Sequence, residues 1–268
     1  MLDNTSRTAL VTDAEDGIGH DTARRLALEG WTVVVHARTS AAGEQTVVRL
    51  VQAGAVLGRL DVVVADFASL GSVERMARKV TERHPKLDLL VNTTGSAAAE
   101  RRLLTEDGNE RTFQVDYLAE YLLTRLLESA LANAGYPRVV NVSSSLHRGG
   151  SLQWTDINRS RRYTPLAAYS QAMLALAMFT KALADTGMTA VCVDPGTSDR
   201  DVLRLHGPDA EPNYNAVDAV VRLCAPGFDV LNGAFYEDRL PAPTGPGVQD
   251  SRAVARLWKL SERLTNVT

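Results

Sequence analysis

Cysteine is nearly missing from this chain: Cys192 and Cys224 are the two thiols among 268 residues. Both sit in apolar runs, which excludes a disulfide-built scaffold and reads as a pair of reduced core side chains. Basic runs are short as well, none longer than a pair such as Arg161-Arg162, and the net charge is −3. That balance gives no general attraction to nucleic acid or to an anionic membrane. No apolar stretch approaches the roughly 18 residues of a membrane span. The N-terminus, Met1-Leu2-Asp3-Asn4-Thr5-Ser6-Arg7, lacks a basic segment followed by an apolar run, so it does not read as a secretory leader. A cytoplasmic protein with no membrane span is expected. Metal-ligand spacing, a Ser-His-Asp order, internal repeats and a long linker are absent too, so no metal is expected.

The residues that are present describe an ordinary globular chain, 45% hydrophobic and 23% charged. It is long enough for one α/β domain with a large core. Short β-branched runs at 8–12, 32–36, 62–65, 87–92, 138–142 and 189–193 alternate with helical periodicity at about 18–29, 40–53, 69–83, 108–133 and 165–186. Strand and helix in strict alternation predict a single doubly wound parallel sheet with helices on both faces, of Rossmann type. Near-continuous apolar strands such as Leu89-Leu90-Val91 fit a sheet covered on both sides. The helix near 108–133 gathers Phe113, Tyr117, Leu118, Tyr121, Leu122 and Leu126 on one side. The helix near 165–186 has Thr164 as N-cap and Pro165 at its first position, then runs almost without polar residues from Leu166 to Ala184. A helix apolar all round must be buried on two sides. The sheet on one side and a second subunit on the other is the arrangement expected, giving a homodimer or homotetramer through these two helices.

In such a sheet, ligands sit at the carboxyl ends of the strands. The first strand runs into Thr12-Asp13-Ala14-Glu15-Asp16-Gly17-Ile18-Gly19, where a helix begins. Gly17, Ile18 and Gly19 would bring backbone and helix N-terminus up to a pyrophosphate, although any tight strand-to-helix turn also uses glycine. Arg38, at the end of the second strand, would meet an adenosine 2′-phosphate and so favour NADP(H), or be a solvated surface arginine. Asp66 follows the third strand, and Asn92-Thr93-Thr94-Gly95 follows the fourth.

These motifs, with Arg138-Val139-Val140-Asn141-Val142-Ser143-Ser144, Ala168-Tyr169 and Asp194-Pro195-Gly196, resemble the short-chain dehydrogenase/reductase family, in particular its retinol-dehydrogenase-like members. The likeness runs from about Thr8 to Leu257-Trp258. It implies a nucleotide-binding half over about 7–145 and an active-site helix, substrate loop and C-terminal elements over about 146–268. It implies Gly17, Ile18, Gly19, Arg38, Asp66, Asn92, Gly95, Pro195 and Gly196 at the cofactor. It also implies Tyr169 as proton donor to a carbonyl and Ser144 polarising that carbonyl. Segment 197–215, with Leu203, Leu205 and His206, is where the family places its substrate loop, which suggests a moderately hydrophobic ketone or aldehyde. His147 could reach the substrate mouth but fits a structural loop histidine better.

The same resemblance exposes departures. The family's active-site lysine is Met173, the asparagine that serves it is Asp116, and the first glycine of the phosphate turn is Asp13. Asp13, Glu15 and Asp16 place three carboxylates where a phosphate dianion would bind, and like charges at short range disfavour it. Alcohol oxidation needs tyrosinate, so loss of a cation four residues along the same helix face is damaging; carbonyl reduction needs the phenol, already dominant near neutrality. Three readings stay open: an NADP(H)-dependent reductase with an atypical site; a catalyst that has left redox chemistry (a cyclase, dehydratase or isomerase using Tyr169, Ser144 or Asp116); and a non-catalytic binding or scaffold subunit.

Overall fold

The computed structural model describes residues 7–95, 97–135 and 137–267; residues 1–6, on which most of the leader reading rests, lie outside them. Eight strands form one sheet in the order β3-β2-β1-β4-β5-β6-β7-β8. They are β1 (Thr8–Val11), β2 (Thr32–Ala37), β3 (Leu60–Val64), β4 (Leu89–Asn92), β5 (Arg138–Val142), β6 (Ala190–Asp194), β7 (Phe235–Glu237) and β8 (Leu240–Ala242). All neighbours are parallel except β7 and β8. Pro241 lies in the edge strand β8, where its missing N–H costs no ladder bond to a further strand.

The helices are α1 (Gly17–Leu28), α2 (Ser40–Gln52), α3 (Leu70–Arg83), α4 (Arg111–Phe113), α5 (Ala119–Leu126), α6 (Glu128–Ala132), α7 (Pro165–Asp185), α8 (Arg200–His206), α9 (Ala216–Cys224), α10 (Pro246–Gln249) and α11 (Ser251–Thr265). The two-residue period of each strand divides the core. Leu10, Val34, Leu90 and Val139 face α3, α5 and α7. Ala9, Val11, Val33, Val35, Leu89, Val91, Val140 and Val191 face α1 and α9. Chain order reverses between β1 and β4, so the ligand crevice of such a sheet opens at their carboxyl ends.

Two expectations need correction. The single helix expected over 108–133 is broken into α4, a π-helical turn Gln114–Leu118, α5 and α6. The wide turn carries Asp116, and such turns are frequent at functional sites. The second correction concerns what covers α7, the ground on which a partner subunit was expected. Helix α7 is capped as expected, Thr164 Oγ1 accepting from Ala167 N at 3.1 Å. Its second apolar side, however, is covered by the chain's own α11. Trp258 packs on Phe179 and Tyr121 with ring centroids 5.9 and 5.6 Å apart. The Tyr117 hydroxyl is hydrogen-bonded to Ser261 Oγ at 2.6 Å, in the interior. The long apolar helix therefore needs no other copy to bury it. Among the described residues α7 is also the one helix long and apolar enough to cross a membrane by length and composition, contrary to the reading that no such stretch exists, and 83% of its apolar window is buried in this fold. Both cysteines are free and buried, on opposite faces of the sheet; burial pushes each thiol up to about 12.

Candidate active site

The turn after β1 is bound to its neighbours strand by strand. Asp13 has φ 45°, the left-handed conformation that glycine adopts freely and aspartate tolerates. Its N–H donates to His36 Nδ1 at 3.0 Å, so the ring proton is on Nε2, which donates to Ala65 O at 3.0 Å. His36 is thereby a buried neutral tie across the ends of β1, β2 and β3, stacked on Phe67. Burial lowers its pKa to about 4, and the Ala65 contact opposes the shift. Burial also raises the Asp13 carboxyl, with Arg38 opposing and Glu15 and Asp16 adding to the rise.

The glycines meet the demands of a phosphate turn. Gly17 has φ +54° and open space where a Cβ would lie, so a ligand can approach its backbone. A Cβ on Gly19 would stand 2.4 Å from Asp13 O, so the turn can close on the helix at that position only with glycine. The backbone therefore fits a dinucleotide phosphate. The charges around it are less accommodating. Asp16, the N-cap of α1, already accepts from Gly17 N at 2.8 Å. Arg38, expected at a 2′-phosphate, donates its backbone N–H to Glu15 Oε1, and its Nη2 lies 3.5 Å from Glu15 Oε2. Asp66 is exposed, with Oδ1 accepting from Ala68 N at 2.9 Å.

After β4, Thr12 holds the next turn: its Oγ1 accepts from Thr93 N at 2.8 Å. Asn92 turns inward instead of to the crevice, donating to Asn141 Oδ1 at 2.7 Å and so tying β4 to β5. Gly95 is exposed at the rim. Sequence reasoning missed Glu120, which is fully buried and accepts from Thr94 N at 2.9 Å. Burial raises its pKa well above the ordinary carboxyl value, and Asp116, one turn away, adds to the rise. The signal was there: Asp116 and Glu120 are four residues apart on a segment otherwise lined with apolar side chains.

The fold brings Ser144, Tyr169 and Asp116 together at the ends of β5 and α7. Ser144 is 2% exposed and Tyr169 4%, and the Ser144 hydroxyl lies close enough to the phenol to favour its ionised form. The phenol pKa is pushed far above its ordinary 10, first by burial and then by the carboxylates Asp116 and Asp194, with Ser144 opposing. Met173 fills the lysine position: it is 1% exposed and accepts from Ser143 Oγ at 3.6 Å through its sulfur. Pro195 and Gly196 form a turn fixed by Asp194, whose Oδ1 accepts from Gly196 N at 2.8 Å, and by Asn213, which donates to Pro195 O at 2.7 Å.

His206, at the end of α8, reaches the pair: its Nε2 is 3.2 Å from Ser144 Oγ. The sequence placed it in the substrate loop without foreseeing that contact. His147 is structural, as expected; its Nδ1 donates to Ser144 O at 2.8 Å, and its Nε2 accepts from Gly245 N at 3.2 Å. Two surface grooves of about 420 and 540 Å³ flank Lys181 far down α7. Neither includes Tyr169 or Ser144, so the side-chain chemistry, not groove volume, locates the site. Among the described residues no group of three or more His, Cys, Asp or Glu side chains could hold a metal ion.

Residues 7–206, which carry the glycine turn, Ser144, Tyr169 and His206, match the family model described as short chain dehydrogenase. The chain belongs to that family. It is 34% identical to a polyprenol dehydrogenase of Mus musculus, over 97% of this chain and 84% of that protein. It is 30% identical to the retinol dehydrogenase 14 of Mus musculus, over 97% and 86%. These relatives place it in the retinol-dehydrogenase-like subgroup. The solved structure of an uncharacterised protein from Mycobacterium paratuberculosis superposes with a TM-score of 0.78 at 31% identity, covering 97% of this chain and 93% of that one. A menthone neomenthol reductase from Mentha piperita shares the fold, with a TM-score of 0.68 at 20% identity.

Proposed function

We propose that this short-chain dehydrogenase works as a carbonyl reductase, with Tyr169 giving a proton to the carbonyl oxygen and Ser144 polarising it. One observation carries the reading: Tyr169 and Ser144 are buried side by side, in surroundings that favour the neutral phenol over tyrosinate. A bound nicotinamide dinucleotide would supply the hydride to the carbonyl carbon. Gly17, Ile18 and Gly19 would hold its phosphates, with Thr94, Gly95, Pro195 and Gly196 along the crevice rim. The Tyr169 proton goes to the oxygen as the carbon gains hydride, so the product is the alcohol and the tyrosine must be reprotonated.

The missing lysine favours this direction over its reverse. Oxidation needs tyrosinate, which burial and the carboxylates Asp116 and Asp194 all oppose. The relatives are named for polyprenol and retinol, both apolar alcohols, which supports an apolar aldehyde or ketone as substrate. His206 Nε2 lies 3.2 Å from the Ser144 hydroxyl that such a carbonyl would need, so α8 borders the place where the substrate carbonyl would sit. The proposal is of a nicotinamide dinucleotide, without the preference for NADP(H) that Arg38 alone suggested, because Glu15 already engages that arginine.

The test is turnover of a panel of apolar aldehydes and ketones with NADH and with NADPH. Tyr169→Phe should lower kcat by about 10²–10⁴-fold, the usual contribution of a positioned proton donor. The reductive rate should stay level from pH 6 past pH 9, because a raised pKa keeps the donor protonated as pH rises. A rate that needs an ionised group with a pKa near neutrality, or a fully active Tyr169→Phe, refutes the assignment.

A further inference from the structure

We infer that Glu15 selects the dinucleotide: its carboxylate stands where an adenosine 2′-phosphate would bind, so the site prefers NAD(H) to NADP(H). This deepens the carbonyl-reductase reading and rests on it. The donors at the end of β2 are the Arg38 backbone N–H and its guanidinium. Both face Glu15, the first donating to Oε1 and the second lying 3.5 Å from Oε2. A phosphate monoester would use the same two donors, one from the backbone and one from a charged fork.

Glu15 is not loosely placed. Arg49 Nη2 donates to its backbone carbonyl and also lies 3.2 Å from Thr46 Oγ1, so the residue is held at main chain and side chain alike. Its side chain is 15% exposed against 67% for Arg38, so the carboxylate lies under the guanidinium and the guanidinium faces solvent. Side chains 23 residues apart have closed on each other.

The charge balance then decides between the two dinucleotides. A 2′-phosphate carries about −1.5 to −2 near neutrality. It would have to displace Glu15 or lie beside it, with Asp13 and Asp16 on the same turn adding charge of the same sign. A ribose 2′-hydroxyl is instead a neutral donor, and a carboxylate at this end of the sheet is the acceptor that suits it. Arg38 does not confer NADP(H) preference here because its positive charge is already used.

The experiment measures dissociation constants of NADH and NADPH by fluorescence titration, on the wild type, Glu15→Gln and the double variant Glu15→Gln/Arg38→Ala. The wild type should bind NADH at least roughly tenfold more tightly than NADPH. Glu15→Gln should tighten NADPH about 10–100-fold while changing NADH by less than about threefold, and Arg38→Ala should remove that gain. Glu15→Ala serves as a second variant should the glutamine protein not fold. NADPH binding more tightly than NADH to the wild type, or a Glu15 variant with unchanged NADPH affinity, overturns the Glu15 assignment and leaves the reductase reading standing. If neither dinucleotide binds any of the proteins at millimolar concentration, both fall.

Discussion

Replacing Glu120 by glutamine should stabilise the protein, and by an amount that grows with pH. Glu120 is fully buried, and its pKa is raised by burial and by Asp116. A carboxyl whose folded pKa lies above its unfolded value binds more protons folded than unfolded. Its stabilising contribution is present below the unfolded value, 4.5, and is lost as pH rises toward the folded pKa. Each pH unit between 4.5 and the raised folded pKa costs such a group about 1.4 kcal/mol relative to an ordinary glutamate. Glutamine needs no proton and keeps an oxygen to accept from Thr94 N, now 2.9 Å from Oε1. Glu120 Oε2 has no hydrogen-bond partner among the described residues, so the amide NH₂ meets the same surroundings as a carboxyl O–H. The gain should be close to nothing near pH 4.5 and rise with pH by at most about 1.4 kcal/mol per unit until the folded pKa is passed, each kcal/mol being about 2–4 °C in Tm for a chain of this size. Urea unfolding of both proteins from pH 4.5 to 8.5 measures it. A gain independent of pH, or a glutamine variant whose relative stability falls as pH rises, would refute a raised Glu120 pKa.

Two further outcomes follow from the same contacts. Leu257→Ala should cost about 2–5 kcal/mol in urea unfolding, because Leu257 of α11 is 1% exposed; the loss should not vary with protein concentration, since the covering helix belongs to the same chain. Met173→Lys should raise the ratio of alcohol oxidation to carbonyl reduction: a charge about 5–6 Å along one helix face, at an effective dielectric of ~20, is worth about 3 kcal/mol, or about two pKa units on Tyr169. A folded, cofactor-binding lysine variant with an unchanged ratio would show that Met173 does not control the tyrosine.

Six of the eight strands were legible because each is a β-branched run of four or more residues between turns. Strands β7 and β8 have three residues each, too short for a period to show, and one contains a proline. The break at Leu127 and the π turn were hidden for a different reason: the apolar residues continue through them, so periodicity reads one helix. The expectation that a second subunit covers α7 came from sound physics applied to incomplete information. An apolar α7 does need two covers, but a sequence does not say which chain supplies the second. At the site, the order of motifs located Ser144, Tyr169 and the glycine turn. Pairing of Glu15 with Arg38, and of His36 with Asp13, was not readable, since each joins residues 23 apart through the sheet. His36 nevertheless left a trace as a polar residue in a strand whose neighbours are apolar on both faces.

The departures from the family pattern act together through charge. Met173 removes a cation, while Asp116 and Asp194 supply carboxylates around the Tyr169 end of the crevice, and Asp13, Glu15 and Asp16 supply them at the phosphate end. One acidic field therefore has two consequences. At the tyrosine it opposes ionisation, which keeps the resting group in the protonated form that reduction starts from and depletes the tyrosinate that oxidation starts from. At the phosphates it repels added negative charge, which costs a dinucleotide with a third phosphate more than one without. Direction of reaction and choice of cofactor answer to different members of that field: a lysine at 173 would ease tyrosinate formation, while neutralising Glu15 would admit the 2′-phosphate. Because the two substitutions act on separate groups at opposite ends of the cleft, their effects on the oxidation ratio and on NADPH affinity should be close to additive.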